Sequence, residues 1–314
     1  MAVIVHGGAY AIPDSIVDAS IKGCTRAATE AHKLLKEGRS ALDAVEAAVR
    51  ILEDDPAFDA GHGSVLNEIG EIEMDAIIME GRDLKFGAVA GVKSVANPVS
   101  LARLVMEKTD HVMLIGEGAD KFARDMGIPE VSKEELVSEI ARKEWESHTR
   151  FNTVVRDCFY TAGDAVNGVH CGHDTVGAVA LDLSGNLACA TSTGGITMKR
   201  VGRVGDVPLV GCGGYCDSDV GGASCTGHGE SIARVTLAHR AVELLRAGVE
   251  PQAAVDSALE YMRKRIGGRG GIILLDKEGR LAKGFTTERM AWASVDLEGK
   301  VESKVENLDP KLLL

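Results

Sequence analysis

The chain is poor in aromatics, which make up 4% of its 314 residues, and no apolar stretch approaches the 18 or so residues that a membrane span requires. It has no run of Lys or Arg longer than three residues, and 35 basic against 47 acidic side chains give a formal charge of −12. That balance argues against a nucleic-acid or anionic-membrane partner. Charged residues are only 26% and hydrophobic ones 45%, so the chain is not disordered and has ample material for a buried core. No Asn-x-Ser/Thr acceptor occurs, and the opening MAVIVHGGAY has neither the basic region nor the apolar region of a secretory signal. Seven cysteines (24, 158, 171, 189, 212, 216, 225) are an odd number without small-scaffold spacing, as expected of free thiols in a reducing compartment. The expected location is the cytoplasm. What is abundant is glycine: 37 residues, near 12% against an average of about 7%. Without a collagenous or low-complexity repeat, this excess points to tight turns and to backbone brought close to a ligand.

Residues 2–5 read as a buried strand running into a turn at His6-Gly7-Gly8. Residues 15–37 and 40–53 read as helices, the second with Ser40 as N-cap and Leu42, Val45, Ala48, Val49 and Leu52 along one face. Strands are expected at 65–66, 71–79 and 84–92, separated by turn signals at 67–70 and 80–83. Helical patterns occupy 99–108, 117–126 and 133–160. Residues 161–174 (TAGDAVNGVHCGHD) are Gly-rich without periodicity and read as a flexible linker. They lead into a strand at 175–182, a hairpin turn at Ser184-Gly185-Asn186 and a returning strand at 187–193. Beyond a Gly-rich loop region from 194 to 229 come helices at about 230–246 and 251–265, then strands at 272–275, 281–285 and 291–297. Helices and hairpins in both halves indicate a layered α+β sandwich rather than a doubly wound sheet.

Common chemical signatures are missing: there is no G-x-x-x-x-G-K-[ST], no G-x-S-x-G and no H-E-x-x-H. His170-Cys171-Gly172-His173 has the look of a zinc-site fragment, but no second Cys/His pair stands at finger-like spacing. Cys212, Cys216 and Cys225 join it only if the fold brings them over, and a linker is the plainer reading. The acidic series Glu68, Glu71, Glu73 and Asp75 alternates with Ile72 and Met74, as on the polar face of a strand. The hydroxyl residues differ. Thr175 opens a strand directly after the linker, Thr191-Ser192-Thr193-Gly194-Gly195 ends the strand paired to it, and Arg203, Asp206 and Thr226-Gly227-His228-Gly229-Glu230 follow. Threonine is a feeble nucleophile unless a base sits beside it. Cutting the chain just before it turns its own α-amino group, with an ordinary pKa near 7.7–8.0, into that base. A cut between Asp174 and Thr175 leaves pieces of 174 and 140 residues. By spacing alone, a plain β-branched strand residue is the readier account of Thr175.

Seven stretches together resemble the plant-type L-asparaginase/isoaspartyl peptidase family of the N-terminal-nucleophile (Ntn) hydrolases: HGGA (6–9), GSVLN (63–67) with EMDA (73–76), ANPVSLARLVMEKT (96–109), HDTVGAVALD (173–182), TSTGG (191–195), GRVGD (202–206) and TGHGE (226–230). They run nearly end to end, leaving only about 130–172 and the last dozen residues outside. The resemblance implies a four-layer αββα sandwich, made as one chain that cleaves itself. Residues 1–174 would form the α subunit and 175–314 the β subunit of one shared domain, two such heterodimers pairing as a homodimer.

The resemblance also implies roles. Thr175 is the nucleophile, Thr193 orients or polarises it, and Thr226 Oγ with the Gly227 N–H holds the oxyanion. Arg203 grips the substrate α-carboxylate and Asp206 its α-ammonium, while Gly227 and Gly229 allow close backbone approach. The substrates implied are L-asparagine, giving L-aspartate and ammonia, and isoaspartyl (β-aspartyl) dipeptides. No organic cofactor is implied, but a structural sodium ion is, on the main-chain carbonyls of Leu52, Glu53, Asp55, Phe58, Ala60 and His62. Two positions depart from the family pattern: Asp59 stands where Asn is usual, and Tyr10 where Gly is common. The alternatives are a glycosylasparaginase-like hydrolase, a threonine endopeptidase of the same superfamily, and a non-catalytic small-molecule-binding protein that retains the fold.

Overall fold

The computed structural model describes residues 1–160 and 175–308. Its first part contains β1 (Ala2–Tyr10), α1 (Val17–Lys36), α2 (Ala41–Glu53), β2 (Met74–Glu80), β3 (Phe86–Val92), α3 (Pro98–Lys108), β4 (Met113–Ile115), α4 (Gly116–Asp125), α5 (Lys133–Leu136), α6 (Glu139–Ser147) and α7 (Phe151–Phe159). The second contains β5 (Val176–Leu181), β6 (Leu187–Thr193), β7 (Gly214–Asp217), β8 (Gly221–Gly227), α8 (Gly229–Val235), α9 (Leu237–Arg246), α10 (Pro251–Ile266), β9 (Gly270–Asp276), β10 (Leu281–Phe285), β11 (Arg289–Val295) and β12 (Val301–Asn307). Eight strands form one sheet in the order β12-β11-β1-β5-β6-β2-β3-β4, and four form another in the order β10-β9-β8-β7. Every pairing is antiparallel except β3 with β4. The architecture is a mixed α+β fold, two facing sheets flanked by helices.

Side-chain alternation explains how such glycine- and alanine-rich strands hold two sheets and their helices together. On β1, Val3 and Val5 pack toward α1, while Ala2 and Ile4 pack toward the other sheet. On β9, Ile272 and Leu274 pack toward α9 and α10, and Ile273 and Leu275 toward the first sheet. A strand buried on both faces shows no polar alternation, and for that reason β8 (GGASCTG) read as loop. Much of the glycine excess serves these close approaches. A methyl on Gly7 or Gly23 would stand 2.3 or 2.5 Å from the Phe58 ring, which is wedged between β1 and α1.

Several expectations need correction. The turn at His6-Gly7-Gly8 is instead the continuation of β1, with an irregularity in its pairing to β11 between His6 and Ala9. Residues 133–160 form three short helices, and the helix expected at 230–246 breaks at Thr236, whose φ of +48° lies in the left-handed region. β4, β7 and β12 were not anticipated, and residues 65–66 are not a strand. Ser40 caps α2 as expected, its side chain accepting from the Asp43 N–H at 3.1 Å. Five cysteines, at 24, 189, 212, 216 and 225, are free and buried, but Cys158 is in a disulfide, against the expectation of free thiols throughout. The linker 161–174, with His170, Cys171, His173 and Asp174, lies outside the described residues. Among the described residues no helix is long and apolar enough to cross a membrane, and no group of three side chains could hold a metal ion.

Candidate active site

The alternation that builds the core also builds the site. Leu187 and Cys189 of β6 face the other sheet, so Thr191 and Thr193 do as well. Val179 and Leu181 of β5 do the same, which puts Thr175 on that face at the strand's entry. On β8, Ala223 and Cys225 face the helices, leaving Ser224 and Thr226 toward the first sheet. One end of the inter-sheet space is thus filled with Ile4, Val179, Leu187 and Ile273, and the other with hydroxyls.

The hydroxyls are joined by hydrogen bonds. Thr175 Oγ donates to Thr193 Oγ at 3.1 Å, and the Gly195 N–H donates to the same oxygen at 2.9 Å. Thr175 is 5% exposed and Thr193 3%. Behind them, buried His6 reaches the Thr175 carbonyl through Nδ1 at 3.2 Å and Ser224 Oγ through Nε2 at 2.8 Å. A carbonyl only accepts, so Nδ1 carries the hydrogen and Ser224 donates to Nε2. Burial pushes the His6 pKa down to about 3, opposed by the bond to Thr175, and keeps the ring neutral. Ser224 Oγ also lies 2.8 Å from Thr191 Oγ, which bonds to the Gly213 carbonyl at 3.1 Å. A methyl on Gly177 would stand 2.1 Å from Ser224 Oγ and 2.4 Å from His6 Nε2, so only glycine leaves room for this pair.

A charged group lies beside the hydroxyls. Arg203 donates through Nε and Nη2 to the two carboxylate oxygens of Glu230, both at 2.9 Å. Glu230 takes only two of the five guanidinium N–H donors. Burial opposes the charge on both partners, yet their bidentate contact holds Arg203 above and Glu230 below its ordinary pKa. A methyl on Gly229 would stand 2.9 Å from Arg203 Nη2 and 2.9 Å from Asp206 Oδ1, so Gly229 borders the cation and the anion at once. Asp206 is 4% exposed, and its carbonyl accepts the Leu209 and Gly213 N–H groups at 3.0 Å each. Gly227, at the end of β8, has φ +119°, and a methyl there would stand 2.5 Å from Gly270 Cα. Thr226 precedes it, fully buried.

Glu73 and Asp75 do not lie on a solvent-facing strand, as their alternation suggested; both are buried. Glu73 accepts the Gly202 N–H at 3.0 Å and so anchors the loop leading to Arg203. Asp75 pairs in register with Thr193 and accepts the Gly91 N–H at 2.9 Å. Lys199, also fully buried, donates to the Glu73 and Gly194 carbonyls, tying the Thr193-Gly194-Gly195 turn to β2's approach. Burial pulls its pKa below the ordinary lysine value, against the attraction of Asp75. Asp59 is buried beside the same turn: its carbonyl accepts the Gly194 N–H and its Oδ1 the Val65 N–H, both at 2.9 Å. Tyr10 is buried at the end of β1.

The carbonyl loop after α2 has the chemistry of a hard-cation cradle. The Glu53 and Asp55 carbonyls each accept one backbone N–H, from His62 and Phe58, which leaves each a second lone pair, whereas the Leu52 carbonyl faces both the Asp54 and Asp55 N–H groups. Among the described residues no backbone N–H donates to the carbonyls of Phe58, Ala60 or His62, although Phe58 and Ala60 are buried. A methyl on Gly63 (φ +113°) would stand 2.5 Å from the Phe58 oxygen.

The structure therefore brings together Thr175 with Thr193, and Arg203 with Asp206 and Gly229, as the spacing suggested. Sequence reasoning gave no role to Glu230, Lys199, Thr191 or Ser224, and read Glu73 and Asp75 as surface. Glu230 was visible only as the last residue of TGHGE, and Lys199 left no signal beyond its place between two motifs.

The sequence profile of a family described as asparaginase matches residues 1–304. The isoaspartyl peptidase/L-asparaginase of Xenopus laevis is 49% identical over 293 residues, covering 93% of this chain and 91% of its own. That of Homo sapiens is 48% identical over 307 residues, 97% of this chain and 96% of its own. The plant-type L-asparaginase of Pyrococcus abyssi is 44% identical over 298 residues, 93% and 95% of the two chains.

Proposed function

The chain belongs to the asparaginase family, and on that premise we propose that it is a self-cleaving threonine hydrolase with isoaspartyl peptidase and L-asparaginase activity. The observation that carries this reading is the 3.1 Å bond from Thr175 Oγ to Thr193 Oγ at the buried entry of β5. Scission of the Asp174–Thr175 bond frees the Thr175 amine, which takes the Oγ proton as Oγ attacks the side-chain carbonyl carbon of substrate. Thr193 Oγ orients the nucleophile. The developing oxyanion accepts from Thr226 Oγ–H and the Gly227 N–H. Collapse expels ammonia, or the amino group of the leaving residue, which carries off the proton from the Thr175 ammonium. Water then attacks the β-aspartyl ester, with the same amine as base, and releases L-aspartate.

Arg203 takes the substrate α-carboxylate on the N–H groups that Glu230 leaves open, and Asp206 takes the α-ammonium. The proximity of both to Gly229 supports this. The facing sheets, with α1, α2 and α3 against one and α9 and α10 against the other, support the four-layer αββα sandwich. Residues 1–174 and 175–314 are its α and β subunits. They stay joined because β5 and β6 are hydrogen-bonded between β1 and β2. Two heterodimers pair, as the family likeness implies. The carbonyls of Leu52, Glu53, Asp55, Phe58, Ala60 and His62 would hold a sodium ion. Such an ion would supply fixed positive charge there, and no step above runs through it. Five of the six described cysteines are free, which supports a cytoplasmic location, while the disulfide at Cys158 points the other way.

Intact mass of freshly purified protein, followed over days, tests the nucleophile. Fragments of 174 and 140 residues are expected from the wild type and none from Thr175→Ala. A wild-type chain that stays whole and leaves β-aspartyl dipeptides and L-asparagine untouched refutes the reading.

A further inference from the structure

On the premise of that activity, we infer that a basic cleft over Arg203 selects anionic β-aspartyl dipeptides, above all those with an acidic leaving residue, over neutral L-asparagine. A cavity of about 1040 Å³ opens between the start of α7 and the segment before Arg203. Four arginines line it, Arg150, Arg156, Arg200 and Arg203, against two carboxylates, Glu68 and Glu230. Arg203 and Glu230 neutralise one another, and Arg156 lies 2.9 Å from Asp157. Among the described residues Arg150 and Arg200 have no ion-pair partner, and against Glu68 they leave the cleft a surplus of one positive charge within a chain of formal charge −12. Arg150 is also the N-cap of α7, and the helix dipole adds positive potential at that wall. Concave walls of low dielectric focus such a field.

The substrates differ in the property this field reads. L-Asparagine carries one ammonium and one carboxylate and is neutral overall. A β-aspartyl dipeptide carries a further terminal carboxylate and is singly anionic, and one with an acidic leaving residue is doubly so. The protein as a whole repels these anions, and the cleft that ends on Arg203, the residue beside Asp206 and Gly229, attracts them. The preference follows from net charge, with no shape recognition of the leaving side chain.

The test compares kcat/KM for L-Asn, β-Asp-Leu and β-Asp-Glu in the self-processed wild type, in Arg150→Gln/Arg200→Gln and in Arg150→Lys/Arg200→Lys. The glutamine pair is expected to lose about 10-fold on β-Asp-Glu, about 3-fold on β-Asp-Leu and less than about 2-fold on L-Asn, mainly through KM. The lysine pair keeps the charge and should restore the wild-type order. In the wild type, raising ionic strength from about 0.05 to about 0.5 M should compress the same preference, because screening shortens from over 10 Å to about 4 Å. Equal losses on all three substrates, no loss on the dipeptides, or failure of lysine to rescue would overturn the inference. A wild type that hydrolyses none of the three overturns the underlying activity instead.

Discussion

Replacing Gly229 by alanine probes the head-group site with a single methyl. Its Cβ would stand 2.9 Å from Arg203 Nη2, 2.9 Å from Asp206 Oδ1 and 3.2 Å from Gly205 Cα. Ordinary contacts of a methyl lie at about 3.5–4.0 Å, so the neighbours must part by roughly half an ångström or more. Neither yields easily, since Glu230 holds Arg203 bidentately and Asp206 is buried. The backbone itself accepts alanine, because Gly229 is not a positive-φ glycine and opens α8, where alanine is the better helix former by about 1 kcal/mol, while crowding against Arg203 and Asp206 costs about 1–3 kcal/mol, so the variant folds with a somewhat lowered Tm. The methyl therefore enters the space where the substrate's carboxylate and ammonium must both approach. Loss of one charge-assisted hydrogen bond, about 1.5–3 kcal/mol, corresponds to a fall in kcat/KM of roughly 10- to 150-fold. The loss should appear mostly in KM and equally for L-asparagine and β-aspartyl dipeptides, while self-cleavage, which uses no free head group, keeps its rate. Steady-state kinetics with intact-mass time courses read both quantities. An unchanged KM, or self-cleavage slowed as much as turnover, would show that Gly229 does not border the head-group site.

Two further outcomes follow from contacts in the structure. Thr193→Val removes the acceptor of both Thr175 Oγ–H and the Gly195 N–H; fragments should appear about 10- to 100-fold more slowly, with Thr193→Ser close to wild type, and equal rates for Val and Ser would refute the orienting role. Glu53 is buried, with Oε1 accepting the Val99 N–H at 2.9 Å, and burial raises its pKa to about 8. With no sodium ion on the adjacent carbonyls, as in sodium-free buffer, the folded chain keeps a proton that the unfolded chain loses above about 4.5, so this group's contribution to stability declines as pH rises from about 4.5 to 8. Glu53→Gln should flatten that decline, with Tm measured at pH 5 and 8.5 and the gain larger at the higher pH. The same change in Tm at both pH values would exclude the titration.

The core strands and capped helices of the fold were legible because the relevant physics is local. Ser40 followed by the apolar series to Leu52 specifies α2, and the hairpin turn at Ser184–Asn186 specifies the pairing of β5 with β6, which carries Thr175 to Thr193. β8 was not legible, since a strand buried on both faces has no alternation to read, and Thr226 therefore appeared to lie in a loop. Glu73 and Asp75 misled for the opposite reason: an alternating pattern looks solvent-facing until distant segments, here the one around Lys199 and Gly202, cover it.

The motifs alone sufficed to bring out the family, the candidate nucleophile and the charges for an amino-acid head group, because these depend on residue type and order along the chain. Their arrangement needed the tertiary structure. The bond from His6 to the Thr175 carbonyl spans 169 residues, and that from His6 to Ser224 spans 218. Arg203 meets Glu230 only because Glu73 anchors Gly202 and β8 delivers α8 beside it. Burial likewise decides which charges are perturbed, since Lys199, Asp75 and Glu53 look like any other ionisable residues until the sheets and helices remove their water.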